Sequence, residues 1–440
     1  MIEYKFQGRV SNNRILKYYH DTPVDCFVMT SEHEGLPVSI MEAESAGIPI
    51  VATNVGGISE MIDGNGFILP SNPTPEEIAD AIIACLNCSA ETKTNRRKCS
   101  RDIWENKFDA TKNARNFVKN TIEKNMEGKQ RVIFLTEGYP YIESEKSFLE
   151  TELIEILRHY DVTIIARIDG KYKDIDTNVA EKNISELKRR SDSDKKINVF
   201  RYDEHWNIKS LPKIILEYAF DRRINYEKKE ILLGKEKLFI RYWESIKYYG
   251  KAMSFNRWIS KSKIPELNLD NTLVYSYWNV QPVLGICINR SRFKNNRIIS
   301  RAHGYDYQDE RWPKTNRKPF METIDQMTDS IVFVSEAGKN YHLKRHAKCD
   351  YSKYVVSYLG SNNAFDGGLE DFNDAYWGEE NKVYRVASCA SMIPLKRINL
   401  VIDALKKVSE KNDLIRIEWV HFGDGPLREE LEQKAKAVLG

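Results

Sequence analysis

The sequence predicts an α/β protein made of two doubly wound domains, each a parallel sheet wrapped by helices. Three observations carry that expectation. Eight short apolar runs, most of them rich in Val and Ile, alternate with longer amphipathic stretches: 26–29 (CFVM), 48–52 (IPIVA), 132–135 (VIFL), 162–166 (VTIIA), 273–275, 331–334 (IVFV), 383–387 and 417–422. Such alternation reads as βαβ units around a buried sheet. Eight or more units exceed one six-stranded sheet, so two domains are the economical arrangement. A polar stretch at 123–130 (EKNMEGKQ) separates a helical run from a fresh strand and is the expected linker.

Composition narrows the class. The 440 residues are 41% apolar, 11% aromatic and 30% charged, an ordinary globular mixture that excludes wholesale disorder and fibrous repeats. Lys+Arg (67) nearly balance Asp+Glu (64), and a net charge of +3 is not that of a strongly basic nucleic-acid binder. The chain contains no 18-residue apolar run, and its opening MIEYKFQGRV lacks a signal peptide's layout, so a cytoplasmic location is expected. Seven scattered cysteines fit a reducing compartment. Cys85 and Cys88 form a single CxxC without a second pair, which favours free thiols on a helix over zinc.

Taken in order, the elements begin with a strand-like run at 4–10 and a helix at 14–19, and they end with an amphipathic helix at 427–439 followed by Gly440. Joining the ends gives helix, Gly, strand, which is the punctuation inside a βαβ module. The order around residue 126, a polar tetrapeptide and then 132–135, reads as a natural start. A circularly permuted order is therefore expected, with Met1 and Gly440 close together.

The chemistry concentrates in 31–57, SEHEGLPVSIMEAESAGIPIVATNVGG. Gly35-Leu36-Pro37 follows a strand and opens an apolar-periodic helix, where the turn and its free N–H groups form an anion site. Glu34 and Glu42 lie eight residues apart around that helix start and can reach separate points of one elongated ligand. A pair of glutamates there is otherwise ordinary solvated surface. The whole string closely resembles the E-x7-E donor motif of retaining glycosyltransferases of the GT-B fold, family 4, with Glu34 and Glu42 as its glutamates and Gly47-Ile48-Pro49 and Val55-Gly56-Gly57 also matching. The resemblance implies that Glu34 contacts the transferred sugar, that Gly35, Leu36 and Pro37 contact sugar and phosphate, and that Glu42 binds ribose hydroxyls.

The stretch 386–405, VASCASMIPLKRINLVIDAL, resembles the same family's phosphate loop, where an arginine and a lysine five residues later clamp a diphosphate. Lys396 matches the lysine, a fixed cation suited to a leaving diphosphate. Ser391 stands at the arginine position, and the adjacent Arg397 is the candidate substitute. The run 419–427, WVHFGDGPL, matches the following strand and Gly-rich turn. Relatives continue from there into a strand and helix like 4–10 and 14–19, which supports the permuted order independently.

The middle of the chain resembles the family's acceptor-binding domain. Residues 136–149 match its first loop without the paired glycines of many relatives, Ser335 and Gly338 match a later loop, and Leu359-Gly360 matches its exit strand. His303, after a strand at 298–300, matches the position that reaches the transferred sugar; otherwise it is a histidine capping a strand end. Residues 205–263 match no motif. They hold 14 Lys+Arg against 6 Asp+Glu, with interleaved aromatics including Trp206, Tyr242, Trp243 and Trp258. Basic residues with Trp and Tyr suit an anionic bilayer interface, single-stranded nucleic acid, or simply a solvated face.

The resemblance thus implies a GT-B fold with two Rossmann-like domains facing a cleft. The nucleotide-sugar domain is expected at 376–440 plus 1–105, a crossover helix and linker at 106–130, and the acceptor domain at 131–375. It implies a retaining, metal-independent transfer from a nucleoside diphosphate sugar, a UDP-sugar first, with no other cofactor and no metal. The acceptor would be a saccharide or lipid-linked saccharide in surface polysaccharide synthesis, with no nucleic-acid partner. The enzyme would be cytoplasmic, with 205–263 as a peripheral contact on the inner face of the membrane. Glu34, His303 and Lys396 would carry catalysis. The alternatives are a catalytically weak scaffold of the same fold, to which Ser391 points, and a sugar-nucleotide epimerase.

Overall fold

The computed structural model describes residues 2–170, 176–204, 208–234, 237–312, 314–345, 350–364, 383–412 and 415–440. Trp206 and Lys235 of the basic stretch, Cys349 and the expected domain boundary at 375/376 lie outside them. The described residues contain thirteen strands: β1 (Ile2–Gly8), β2 (Cys26–Met29), β3 (Ile50–Thr53), β4 (Gly66–Leu69), β5 (Arg131–Thr136), β6 (Asp161–Ile168), β7 (Ile197–Asp203), β8 (Thr272–Ser276), β9 (Arg297–Ala302), β10 (Ser330–Phe333), β11 (Tyr354–Val356), β12 (Val383–Cys389) and β13 (Arg416–Phe422). They form two parallel-sheet α/β units, 1–110 with 358–440, and 111–357.

In the first unit the spatial order is β1-β13-β12-β2-β3-β4, every pair parallel. Counted from β12, this is the 3-2-1-4-5-6 order of a doubly wound nucleotide-binding sheet. Central β2 and β3 are buried along their whole length, as a sheet covered on both faces requires. Ile78, Ile82 and Leu86 of the helix Pro75–Leu86 pack with Val401, Ile402 and Leu405 of the helix Ile398–Lys411. The first of these helices starts at a reciprocal cap between Thr74 and Glu77, with Pro75 in its first turn.

Several expectations need correction here. The first strand begins at Ile2 and stops at Gly8, whose φ of +70° turns the chain. The expected linker 123–130 starts as a helix, Glu123–Met126, because Ile122 and Met126 are four residues apart and both buried. The crossover helix expected within 106–130 is interrupted at Asp109, which bridges to Ser361. Leu359-Gly360 is not a strand of the second unit, whose last strand is β11. Instead 358–364 pack in the first: Trp104 Nε1 donates to Ser361 Oγ at 2.8 Å and Tyr358 to Glu60 at 2.8 Å. A side chain at Gly360 would lie 2.4 Å from the Ala110 backbone, so the close approach requires glycine.

The second unit has the order β11-β10-β9-β8-β5-β6-β7, again all parallel. Counted from β5 it is the same 3-2-1-4-5-6 order with one strand added. Arg301, fully buried on β9, pairs with Glu152 at 2.5 Å, donates from Nε to the Tyr275 hydroxyl at 2.8 Å, and lies 4.6 Å over the Phe117 ring. Tyr275 in turn donates to Glu152 at 2.8 Å. Removing one partner of such a pair leaves a buried charge uncompensated. Glu152→Ala should therefore cost about 3–5 kcal/mol, read as a lowered midpoint in urea unfolding, whereas replacing Arg301 and Glu152 together by apolar residues should cost much less.

Candidate functional site

Ligands of doubly wound sheets bind beyond the carboxyl ends of the strands, where the strand order reverses. In the first unit that point lies between β12 and β2, which pair through Val386–Cys26 and Ala387–Phe27. The loops leaving those two strands carry Lys396 and Glu34. Although 362 residues apart in sequence, Lys396 Nζ donates to Glu34 Oε1. Thr30 fixes the approach by donating its hydroxyl to the carbonyls of Lys396 (3.2 Å) and Arg397 (2.9 Å). Glu34 and Leu36 are both buried.

Gly35, Leu36 and Pro37 lead into the helix Val38–Ser45, with Pro37 as its N-cap. The Val55-Gly56-Gly57 turn holds this loop from behind. Gly57 N donates to Gly35 O at 2.7 Å. Gly56 has φ +58°, and a Cβ there would sit 2.1 Å from the Glu34 carbonyl oxygen. Only glycine allows that approach, so the second half of the sequence motif shapes the first.

Glu42, on the helix, is buried at 5% exposure. Burial raises its carboxyl to about 8, opposed by a hydrogen bond from the Asn12 side chain. Asn12 opens the helix Asn12–Asp21 and was not anticipated; a lone Asn at a helix start reads as a cap. Burial also pushes the neighbouring Tyr19 hydroxyl and Cys389 thiol up, Glu42 adding to both.

Arg397 has a different part from the one anticipated. It sits at φ +49°, and its guanidinium donates to Thr30 O (2.7 Å), Ser31 O (2.9 Å), Ser71 O (2.8 Å) and Asn72 Oδ1 (3.0 Å). It ties the loop after β2 to the loop after β4. Ser391 is exposed, so Lys396 is the side-chain cation that this loop brings to Glu34.

His303 belongs to the second unit, where it caps the turn Gly304–Tyr307. Its backbone N–H donates to Asp306 Oδ2 at 3.0 Å, and its Nδ1 lies 3.3 Å from the same oxygen. Burial holds its ring below the usual histidine value, Asp306 opposing. Nε2 is buried without a hydrogen-bond partner. The ring centroid is 4.1 Å from that of Trp278. Trp278 lines a cavity of about 590 Å³ that also touches Glu137, Arg167, Tyr305 and Lys318. The cavity sits beyond the carboxyl ends of β5 and β8, the reversal point of this second sheet. Its loop, 136–149, is knit by Glu145, which accepts from the Glu137 and Tyr139 amides (3.2 and 2.9 Å) and from the Trp278 indole. Trp278, Arg167 and Lys318 escaped sequence reasoning because isolated residues after strands carry no spacing signal.

Residues 2–102 match the family model described as "Glycosyl transferases group 1". The group 1 stretch contains Glu34, Gly35 to Pro37 and Glu42, while Lys396 lies outside it. Curated relatives include the O-antigen biosynthesis glycosyltransferase WbnH of Escherichia coli, 41% identical over 64 residues, which are 14% of this chain and 18% of that protein. The putative teichuronic acid biosynthesis glycosyltransferase TuaC of Bacillus subtilis (strain 168) is 28% identical over 111 residues, 24% of this chain and 27% of that one. The chain thus matches less than a third of the length of these relatives. Among solved structures, HepE of Anabaena in complex with UDP and glucose aligns with a TM-score of 0.39 at 13% identity, over 70% of this chain and 66% of that one.

The Glu42 environment gives a pH dependence of defined sign. Its folded value of about 8 stands above the ordinary 4.5, so the folded state binds a proton the unfolded state has released. The associated stability is complete below about pH 4.5 and is lost as the pH rises to 8. Glu42→Gln should therefore gain in melting temperature over the parent as pH goes from 5 to 8, by a few degrees. A constant difference across that range would refute the assignment.

Proposed function

We propose that the chain is a glycosyltransferase that moves a sugar from a nucleoside diphosphate donor to a saccharide or lipid-linked saccharide acceptor, with retention of anomeric configuration and without a metal ion. The observation that carries the reading is the contact between Lys396 and Glu34 at the strand-order reversal, because it joins the two motifs that the donor needs. The group 1 match over 2–102 supports it. The polysaccharide roles in the names of the O-antigen and teichuronic acid relatives point to surface polysaccharide synthesis. UDP is the first nucleotide to test.

In this reading the diphosphate lies against the Gly35–Pro37 turn, whose amides face a helix start, and against Lys396. Glu34 orients the transferred sugar and Glu42 holds the ribose hydroxyls. The acceptor hydroxyl bonds to the anomeric carbon on the face that the leaving group departs from. As the bond to the diphosphate oxygen breaks, that oxygen takes the hydroxyl proton. The products are a glycoside of unchanged anomeric configuration and a nucleoside diphosphate. The second unit would hold the acceptor in its aromatic and charged cavity, where His303 lies beside Trp278.

A thermal-shift screen of nucleoside diphosphate sugars, followed by transfer of a labelled sugar with and without chelator, tests this directly. Glu42→Ala should weaken nucleoside diphosphate binding by about 1.5–3 kcal/mol above pH 8, where the carboxylate is charged. Lys396→Ala should lower turnover about 10²–10³-fold, the scale of one donor to a developing anion. Activity that vanishes with chelator, or that survives Lys396→Ala undiminished, would reject the reading.

We also propose that the element order is a circular permutation. The first sheet has the doubly wound order only when counted from β12, with β1 as its third strand. A chain with residue 440 joined to residue 1 and opened within 127–130 should fold to a monomer with unchanged circular dichroism and donor binding. Failure of that rearranged chain, or a parent chain that is a domain-swapped dimer by native mass spectrometry, would reject it.

A further inference from the structure

The second unit bears an exposed apolar surface on three successive helices, Leu211–Phe220, Asn225–Leu233 and Leu238–Lys261. Among the described residues, all five large hydrophobic side chains that are 60% exposed or more fall there: Leu216, Phe220, Leu232, Leu233 and Phe239, the last at 81%. The helices are packed on one another, with the Tyr218 ring 6.4 Å from Tyr242 and 5.6 Å from Tyr249, and Lys228 5.7 Å over it. The helices that carry these side chains are therefore packed together, with Phe220, Leu232, Leu233 and Phe239 at their ends.

The exposed charges around them have one sign. Among the described residues of 209–240, the exposed ionisable side chains are Lys209, Lys213, Arg222, Arg223, Lys229 and Lys237. The four acidic residues described in that stretch are less exposed: Glu227 is fully buried against Arg317 at 2.7 Å, Asp221 is paired with Arg223 at 2.8 Å, Glu217 with Arg257 at 2.9 Å, and Glu230 is half-buried. Lysine is depleted in protein interfaces, so the lysines of this patch weigh against a protein partner. Leu and Phe projecting between Lys and Arg match the boundary of a bilayer, where apolar side chains enter the acyl region and cations meet anionic headgroups.

We propose that this face docks on an anionic phospholipid bilayer, with Phe220, Leu232, Leu233 and Phe239 inserted and Lys213, Arg222, Lys229 and Lys237 on the headgroups. No helix among the described residues is long and apolar enough to cross a membrane, so the contact is peripheral. The proposal stands independently of the transfer reaction, since lipid binding is read without any donor.

The test is flotation of the full chain with vesicles of phosphatidylcholine alone and with about 30% phosphatidylglycerol. The protein should float with the anionic vesicles and not the neutral ones, and should be released at about 0.5 M salt, where surface attraction is screened. Phe220→Ser with Phe239→Ser should lower the partition coefficient about ten-fold or more. Lys213→Gln with Lys229→Gln should lower it on anionic vesicles, and both pairs should keep the parent melting temperature because the side chains are exposed. Equal, negligible binding to both vesicle types overturns the proposal. So does a concentration-dependent dimer that the Phe substitutions abolish while vesicle binding is absent, which would make the face a protein interface.

Discussion

The pairing of β12 with β2 is the constraint on which the first unit depends. It is a short ladder, Val386 on Cys26 and Ala387 on Phe27, reinforced at its lower end by Asp25, whose amide donates to the Arg385 carbonyl and whose carboxylate accepts from the Arg385 amide, each at 2.8 Å. Residues from opposite ends of the chain become neighbours through it. Because both strands run the same way and their connections leave on opposite sides, their carboxyl ends diverge and open the crevice that carries Glu34 and Lys396. The Thr30 hydroxyl on the Lys396 and Arg397 carbonyls then fixes one loop against the other. Without this pairing each motif would be a loop with no partner.

Much of this was legible in the sequence, for a physical reason. All eight apolar runs became strands, because a strand buried on both faces needs uninterrupted apolar side chains. The strands that were missed, β4, β7 and β11, are all edges of their sheets. β7 is half-exposed through most of its length and β4 is buried only at Leu69, so neither needs a continuous apolar run. Glu34, Glu42 and Lys396 were found by resemblance, since only a long string gives isolated charges a context. Asn12, Trp278 and Lys318 could not be found that way. Their importance comes from neighbours far off in sequence, such as Lys318, which lies buried 3.6 Å from Asp306.

The two units place their ionisable groups alike. Each puts buried charge beyond the carboxyl ends of its strands, where helix starts and loop amides offer hydrogen bonds that the sheet interior cannot. In the second unit Arg167 lies between Glu137 and Glu204, with Lys251 on the far side of Glu204 at 2.5 Å, an alternating row of fixed charge. Such rows are costly to bury and are not an efficient source of stability. They stand at the strand-order reversal, beside a cavity lined by Trp278 and Tyr305.

Lys396 and Arg397 show how a single backbone angle divides two neighbouring cations. Lys396 ends the short turn Pro394–Lys396, and Arg397 stands between it and the helix Ile398–Lys411. Arg397 adopts φ +49°, a conformation that L side chains rarely take. The left-handed turn carries its side chain away from that of Lys396, toward Thr30, Ser31, Ser71 and Asn72, where a planar guanidinium satisfies four acceptors at once. Lysine lacks that fork, and its single flexible ammonium instead meets one carboxylate, Glu34. The strain at residue 397 is thus offset by the hydrogen bonds that hold the two loops. Those loops in turn hold the ammonium in place. Exchanging the two residues would lose both functions, although it would leave the charge of the loop unchanged.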